Sequence, residues 1–145
     1  MFNFLTEITK GLPVNAHVSR LVTSKFNEST VYVTLNDRRE DNITPYIYRS
    51  TDLGKTWVSM NGNLPASPVN VIREDPLHKN ILYCGTDLGI YLSRDGGVKW
   101  ISLNNDLPAS VSVQDLFIHP KTNQLVIATY GRGIYVLDDI SSLQK

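Results

Sequence analysis

Two octapeptides, STDLGKTW at 50–57 and SRDGGVKW at 93–100, share the pattern Ser-x-Asp-x-Gly-x-x-Trp. Ser50, Asp52, Gly54 and Trp57 answer to Ser93, Asp95, Gly97 and Trp100. Asp with Trp is a combination that binds sugars, the carboxylate bonding hydroxyls and the indole stacking on a ring. The same residues also lock a turn. Glycine takes a positive φ cheaply. A short carboxylate accepts from nearby backbone N–H groups, a serine hydroxyl adds a further bond, and the indole packs on the hairpin. Repetition at one place in each unit favours the turn.

Arg132, between Gly131 and Gly133, is the most suggestive candidate for a ligand. Small neighbours admit a ligand close to the backbone, and a guanidinium holds a carboxylate by two parallel bonds. A solvated turn arginine gives the same pattern. Asp87, in GTDLG, reads either as a ligand contact or as a turn residue bonded to its own backbone. Arg38 and Arg39 lie in the polar run NDRREDNIT at 36–44, which reads as an exposed loop with no packing duty. Glycoside hydrolysis generally needs two carboxylates about 5–5.5 or 6.5–9.5 Å apart. Asp87, Asp106 and Asp115 are candidates, but nothing in the sequence pairs two of them. His17, His78 and His119 are dispersed without ligand spacing, so no metal and no cofactor is expected. Cys84, the single cysteine, sits in the apolar run ILYC and reads as a small buried residue.

The elements that carry these residues repeat as well. The motifs start 43 residues apart, each after an aromatic-bearing run (PYIYR at 45–49, GIYL at 89–92). Each is followed by a Leu-Pro element, at 63–65 and 106–108, with a third copy at 11–13. Behind these come VSRLVTS, VNVIRED and VQDLFIH, then TVYVTLN, ILYCGTD and QLVIATY, then GIYVLDD in the last unit. Short β-branched and aromatic runs between Gly, Asn, Asp and Pro predict consecutive antiparallel hairpins. Four short strands per unit of about 40–45 residues is the arithmetic of a propeller blade. The expected fold is therefore all-β. Residues 4–13 form a lone outer strand, 17–62 a first blade, 69–105 a second, and 112–139 an incomplete third.

Composition fits a folded chain. Of 145 residues, 41% are hydrophobic and 19% charged, and 14 basic residues balance 14 acidic ones. There is no basic excess for nucleic acid or an anionic membrane, and no apolar run of the roughly 20 residues a membrane helix needs. Residues 1–15 lack the basic start and apolar stretch of a signal peptide.

The motif, with its preceding Ile-Tyr strand and following Asn-Leu-Pro, resembles the bacterial neuraminidase repeat, or Asp box. The second copy carries Lys99 where the family pattern has Thr. The repeat occurs in sialidases, xyloglucanase-type glycoside hydrolases, sortilin-type receptors and a photosystem assembly factor. The tail ATYGRGIYVLDDISSL at 128–143 is similar to the closing stretch of bacterial BNR/sortilin-like "glycosyl hydrolase" propellers. The resemblance implies a β-propeller in an extracytoplasmic setting. Sialidases use a Tyr nucleophile and an arginine cluster, but this sequence has no Arg-Ile-Pro stretch. The expected role is a non-catalytic scaffold or a binding module for carbohydrate or protein. A glycoside hydrolase segment with an incomplete catalytic set is the alternative. One strand, two blades of four and a blade of three make 12 strands, too few for the four to eight blades of a propeller. Either the chain is a piece of a larger ring, or two copies pair as a homodimer into a six-bladed one.

Overall fold

The computed structural model describes residues 5–108 and 110–145. It is a stack of three antiparallel sheets. Blade 1 comprises β1 (His17–Thr23), β2 (Val31–Asp37), β3 (Asn42–Ser50) and β4 (Val58–Ser59). Blade 2 comprises β5 (Val69–Glu74), β6 (Leu82–Thr86), β7 (Gly89–Ser93) and β8 (Ile101–Ser102). Blade 3 holds β9 (Val113–His119), β10 (Gln124–Thr129) and β11 (Ile134–Leu137). Within each blade the strands follow sequence order, as expected of β-propeller blades.

The period-2 alternation of each strand divides its side chains between two blade contacts. Between blades 1 and 2 lie Tyr32, Ile47, Met60, Ile72, Leu82, Cys84 and Trp100. Between blades 2 and 3 lie Tyr83, Ile90, Leu92, Leu116, Ile118, Leu125 and Ile127. Blade 2 is buried on both faces, which is why β5, β6 and β7 read as near-continuous apolar runs.

Blades 1 and 3 each leave one face open. Register places Phe117, Val126 and Val136 in one row across blade 3, with Ile134 beside them. These are the counterparts of Arg73, Tyr83, Leu92 and Ile90 in blade 2. Ile90 and Leu92 are 0% and 1% exposed, whereas Ile134 and Val136 are 72% and 52% exposed. Burying such a side chain contributes about 1.5–3 kcal/mol, which blade 3 forgoes. On blade 1 the open face carries Val18, Leu21, Tyr46 and Tyr48, beside Val33 and Leu35.

Two expectations are corrected. The run 36–44 is not a free loop. β2 extends to Asp37, a 3-10 turn spans Arg38–Glu40, and β3 begins at Asn42. Two of its charges are used: Arg38 reaches across to blade 2, and Asp37 accepts from Asn42 Nδ2, which also donates to Tyr46 Oη at 3.0 Å. The expected strand at 4–13 is absent over 5–13, and Phe4 lies outside the described residues. Among the described residues there are therefore 11 strands. A strand needs an edge to satisfy its backbone, and this segment has none to pair with.

Candidate functional site

The two repeated motifs close the β3–β4 and β7–β8 hairpins. In the first, Ser50 Oγ accepts from Gly54 N at 2.7 Å and donates to Asp52 Oδ1 at 2.8 Å. Asp52 accepts from Thr56 N at 2.9 Å and Thr56 Oγ1 at 2.6 Å. In the second, Ser93 Oγ accepts from Gly97 N, and Asp95 accepts from Val98 N and Lys99 N. Lys99 replaces the threonine, so Asp95 lacks the hydroxyl bond that Asp52 has. Gly54 and Gly97 stand at φ +91° and +92°. A Cβ on either would strike the side chain of Ile8 or Met60, respectively. Each motif also reaches outside its own blade: Trp57 Nε1 donates to Ile8 O at 2.7 Å, and Trp100 Nε1 to Met60 O at 2.9 Å. Ile8 thus stands to the first motif as Met60, next to β4, stands to the second.

The Thr56 hydroxyl and N–H, then the Ser50 hydroxyl, hold the Asp52 carboxyl down to about 2. The Lys99 N–H and the Ser93 hydroxyl lower that of Asp95. A depressed folded-state value gives stability that is full above the unfolded value of about 3.9 and is lost as pH falls toward the folded one. Thermal melting is therefore expected to soften between about pH 4 and 2. Asp95→Ala should cost about 1 kcal/mol, as loss of an Asp cap does, and should weaken that acid dependence. A melting temperature unmoved at neutral pH would contradict this role.

At the opposite end of the blades the β2–β3 and β6–β7 turns meet the connections between blades. A cleft of about 500 Å³ opens there, lined by Arg38, Asp41, Ile43, Pro68, Asp87 and Leu88. Arg38 forks onto Asp87, its Nε 3.2 Å from Oδ2, and also donates to Asn70 Oδ1. Asp87 further accepts from Asn70 Nδ2 and Ser112 Oγ, each at 3.0 Å. Burial pushes the Asp87 carboxyl up, but the bonds from Arg38, Asn70 and Ser112 outweigh it and hold the group below the ordinary range. Asp87 is an ionised, occupied acceptor that knits three blades, not a proton donor.

A second hollow of about 350 Å³ shares Arg38 and adds Arg39, His17 and Asn36. Arg132 is not gathered with them. It sits on the exposed β10–β11 turn, where Gly131 and Gly133 have open space around them and Tyr135 Oη donates to the Arg132 carbonyl at 2.8 Å. Asp115 lies on β9 among the innermost strands, 3.2 Å from Arg20 Nη1 and 2.9 Å from Arg73 Nη2. The side chain of Asp106 lies outside the described residues. Asn70 escaped the sequence reading. A lone polar residue within VNVIRED was the available signal for Asn70.

No family model and no curated protein sequence matches this chain. Solved structures do. A GH74 enzyme of Niastella koreensis shares 20% identity at a TM-score of 0.65, over 84% of this chain and 21% of its own. The GH74 xyloglucanase of Xanthomonas campestris shares 12% at 0.62, over 82% and 20%. YCF48, solved bound to D1 peptide, shares 17% at 0.58, over 86% and 36%. The chain thus spans about a fifth of the two GH74 enzymes and about a third of YCF48. At these identities the likeness shows the fold, that of β-propeller proteins.

Proposed function

We propose that the chain is a non-catalytic Asp-box propeller module that binds a protein segment in the cleft between the β2–β3 and β6–β7 turns. One observation carries this reading: Arg38 and Asp87 satisfy each other's charge, so the cleft offers a segment exposed aliphatic side chains beside two polar groups, the Asp41 carboxylate and the buried, unbonded Ser67 Oγ. Ile43 and Leu88 are exposed beside Pro68 and Ala66, and among the described residues no aromatic ring lines the cleft to stack on a sugar. Asp87 and Asp115 are each engaged by guanidinium groups, an arrangement unlike the free acid and base that hydrolysis needs. YCF48 with its D1 peptide supports a peptide as the class of ligand. Resemblance to BNR/sortilin-like propellers supports an extracytoplasmic setting. In this reading two copies of the chain close a six-bladed ring, with the cleft on its face.

Peptide display and glycan arrays on the same protein test it. Enriched peptides should share aliphatic residues, and Leu88→Glu should weaken them at least about tenfold, a loss of about 1.4 kcal/mol. Glycan capture without peptide capture, or release of sugar from xyloglucan, would overturn the reading in favour of a lectin or a glycoside hydrolase.

A further inference from the structure

Blades 1 and 3 each present an open apolar face at an end of the stack. The free face of β9–β11 repeats, in register, the face that blade 2 presses on blade 3. The free face of β1–β3 repeats the face that blade 2 presses on blade 1, with Leu21, Val33 and Tyr48 in the places of Ile72, Cys84 and Tyr91. What fits each end is therefore a blade of this kind, set head to tail.

The placement of residues 5–13 says which blade. Ile8 meets Gly54 and Trp57 as Met60 meets Gly97 and Trp100. The segment thus lies where the fourth strand of a preceding blade belongs. Among the described residues blade 3 has no fourth strand, because residues after β11 turn away: Ile140 is buried with its N–H on Asn123 O, and Arg94 Nε donates to Leu143 O. In blade 1 the fourth strand pairs Tyr48 with Ser59 and Arg49 with Val58, and Met60 N donates to Ile47 O at 2.7 Å. Transposed, Tyr135 would face Glu7, Val136 would face Thr6, and Ile8 N would reach Ile134 O.

A polar bond repeats too. Ser19 Oγ donates to Val69 O and Asn70 Nδ2 to Val113 O, each from one innermost strand to the next. Gln114 holds the corresponding position in β9.

We propose that two copies of this chain close a six-bladed ring by exchange. Residues 5–13 of each form the fourth strand beside β11 of the other, and its β1–β3 face covers the other's β9–β11 face. This rests on the ring-forming reading above and names its partner and contacts. Two symmetric joints, each the size of an internal blade contact, reach the class of obligate homodimers, on the order of 2,000 Å² or more.

Light scattering after gel filtration, at micromolar concentration, should give twice the 16.3 kDa of one chain. Thr6→Cys combined with Val136→Cys, both at exposed positions, should link two chains under mild oxidation, while each single variant stays unlinked. Cys84 is fully buried and stays silent. Val136→Glu, at a site the single chain does not bury, should halve the mass. A single-chain mass for the unmodified protein overturns the proposal, as does a dimer that Val136→Glu leaves intact. A dimer in which the double variant stays unlinked overturns the strand exchange. A single chain that captures peptides would refute the exchange and leave the binding reading standing. A dimer that captures nothing would do the reverse.

Discussion

Trp100→Ala is expected to destabilise the protein by about 4 kcal/mol, near the upper range for truncating a buried aromatic. The indole is 3% exposed in the contact between blades 1 and 2, and its N–H reaches Met60 O. Truncation removes that contact area, leaves a cavity and orphans the carbonyl. Trp57 occupies the same motif position but is only half-buried, against residues 5–13. In a single chain Trp57→Ala should cost about half as much, because the cost tracks the area removed from water; in the closed ring the partner completes the neighbouring blade and the two costs should converge. Urea denaturation of both variants measures the difference. For a chain that light scattering shows to be single, equal costs would mean that the contact with a complete neighbouring blade adds nothing.

Asp75→Ala is the second large loss expected, about 3 kcal/mol. The carboxylate is fully buried at the β5–β6 turn. It accepts from Leu77 N at 2.9 Å, His78 N at 3.0 Å, Tyr83 Oη at 3.0 Å and Gln144 Nε2 at 2.7 Å. Hydrogen bonds to a charged group contribute about 1.5–3 kcal/mol, and stranding a buried partner such as the Tyr83 hydroxyl costs about 1–3 kcal/mol, without strict additivity. Asp75→Asn keeps an acceptor and should lose less. Burial pushes this carboxyl up, but the Gln144, Leu77, His78 and Tyr83 bonds outweigh it and leave it below the ordinary value. Its contribution is therefore present above the unfolded value of about 3.9 and fades as pH falls through the folded one. Denaturation midpoints from pH 7 to 2 should show a shallower acid limb in Asp75→Ala than in the parent. Parallel limbs would contradict the assignment.

The blades were legible because their signals are local. Strand periodicity, turn residues and a repeat of about 43 residues are written into contiguous sequence. The site was legible only in part. Asp87 and Arg38 stood out as candidates, but Asn70 joins them from β5 and Ser112 from the approach to blade 3, far apart in sequence, and no contiguous pattern encodes that meeting. The run 36–44 looked like loop because its charges find partners a blade away rather than next door. Residues 4–13 looked like a strand because their side-chain pattern is that of one. Pattern fixes which residues suit an edge, but not whether an edge is present. Asp115 read as a ligand-face carboxylate, yet it serves the innermost strands through Arg20 and Arg73.

Each tryptophan of the repeated motif bonds a carbonyl of the unit before it, so residues 5–13 are fastened by blade 1 and blade 1 is fastened by blade 2. That gives unfolding a direction. Opening the β7–β8 hairpin releases Met60 and the edge of blade 1, whereas opening the β3–β4 hairpin releases only residues 5–13. In a repeat array whose stability is shared between neighbours, amide exchange in a single chain should be slowest in β5–β7, which pack against a blade on each side. In the single chain it should rise toward both ends of the stack, so that the middle blade acts as a keystone, whereas closure of the ring should slow exchange in the outer blades as well.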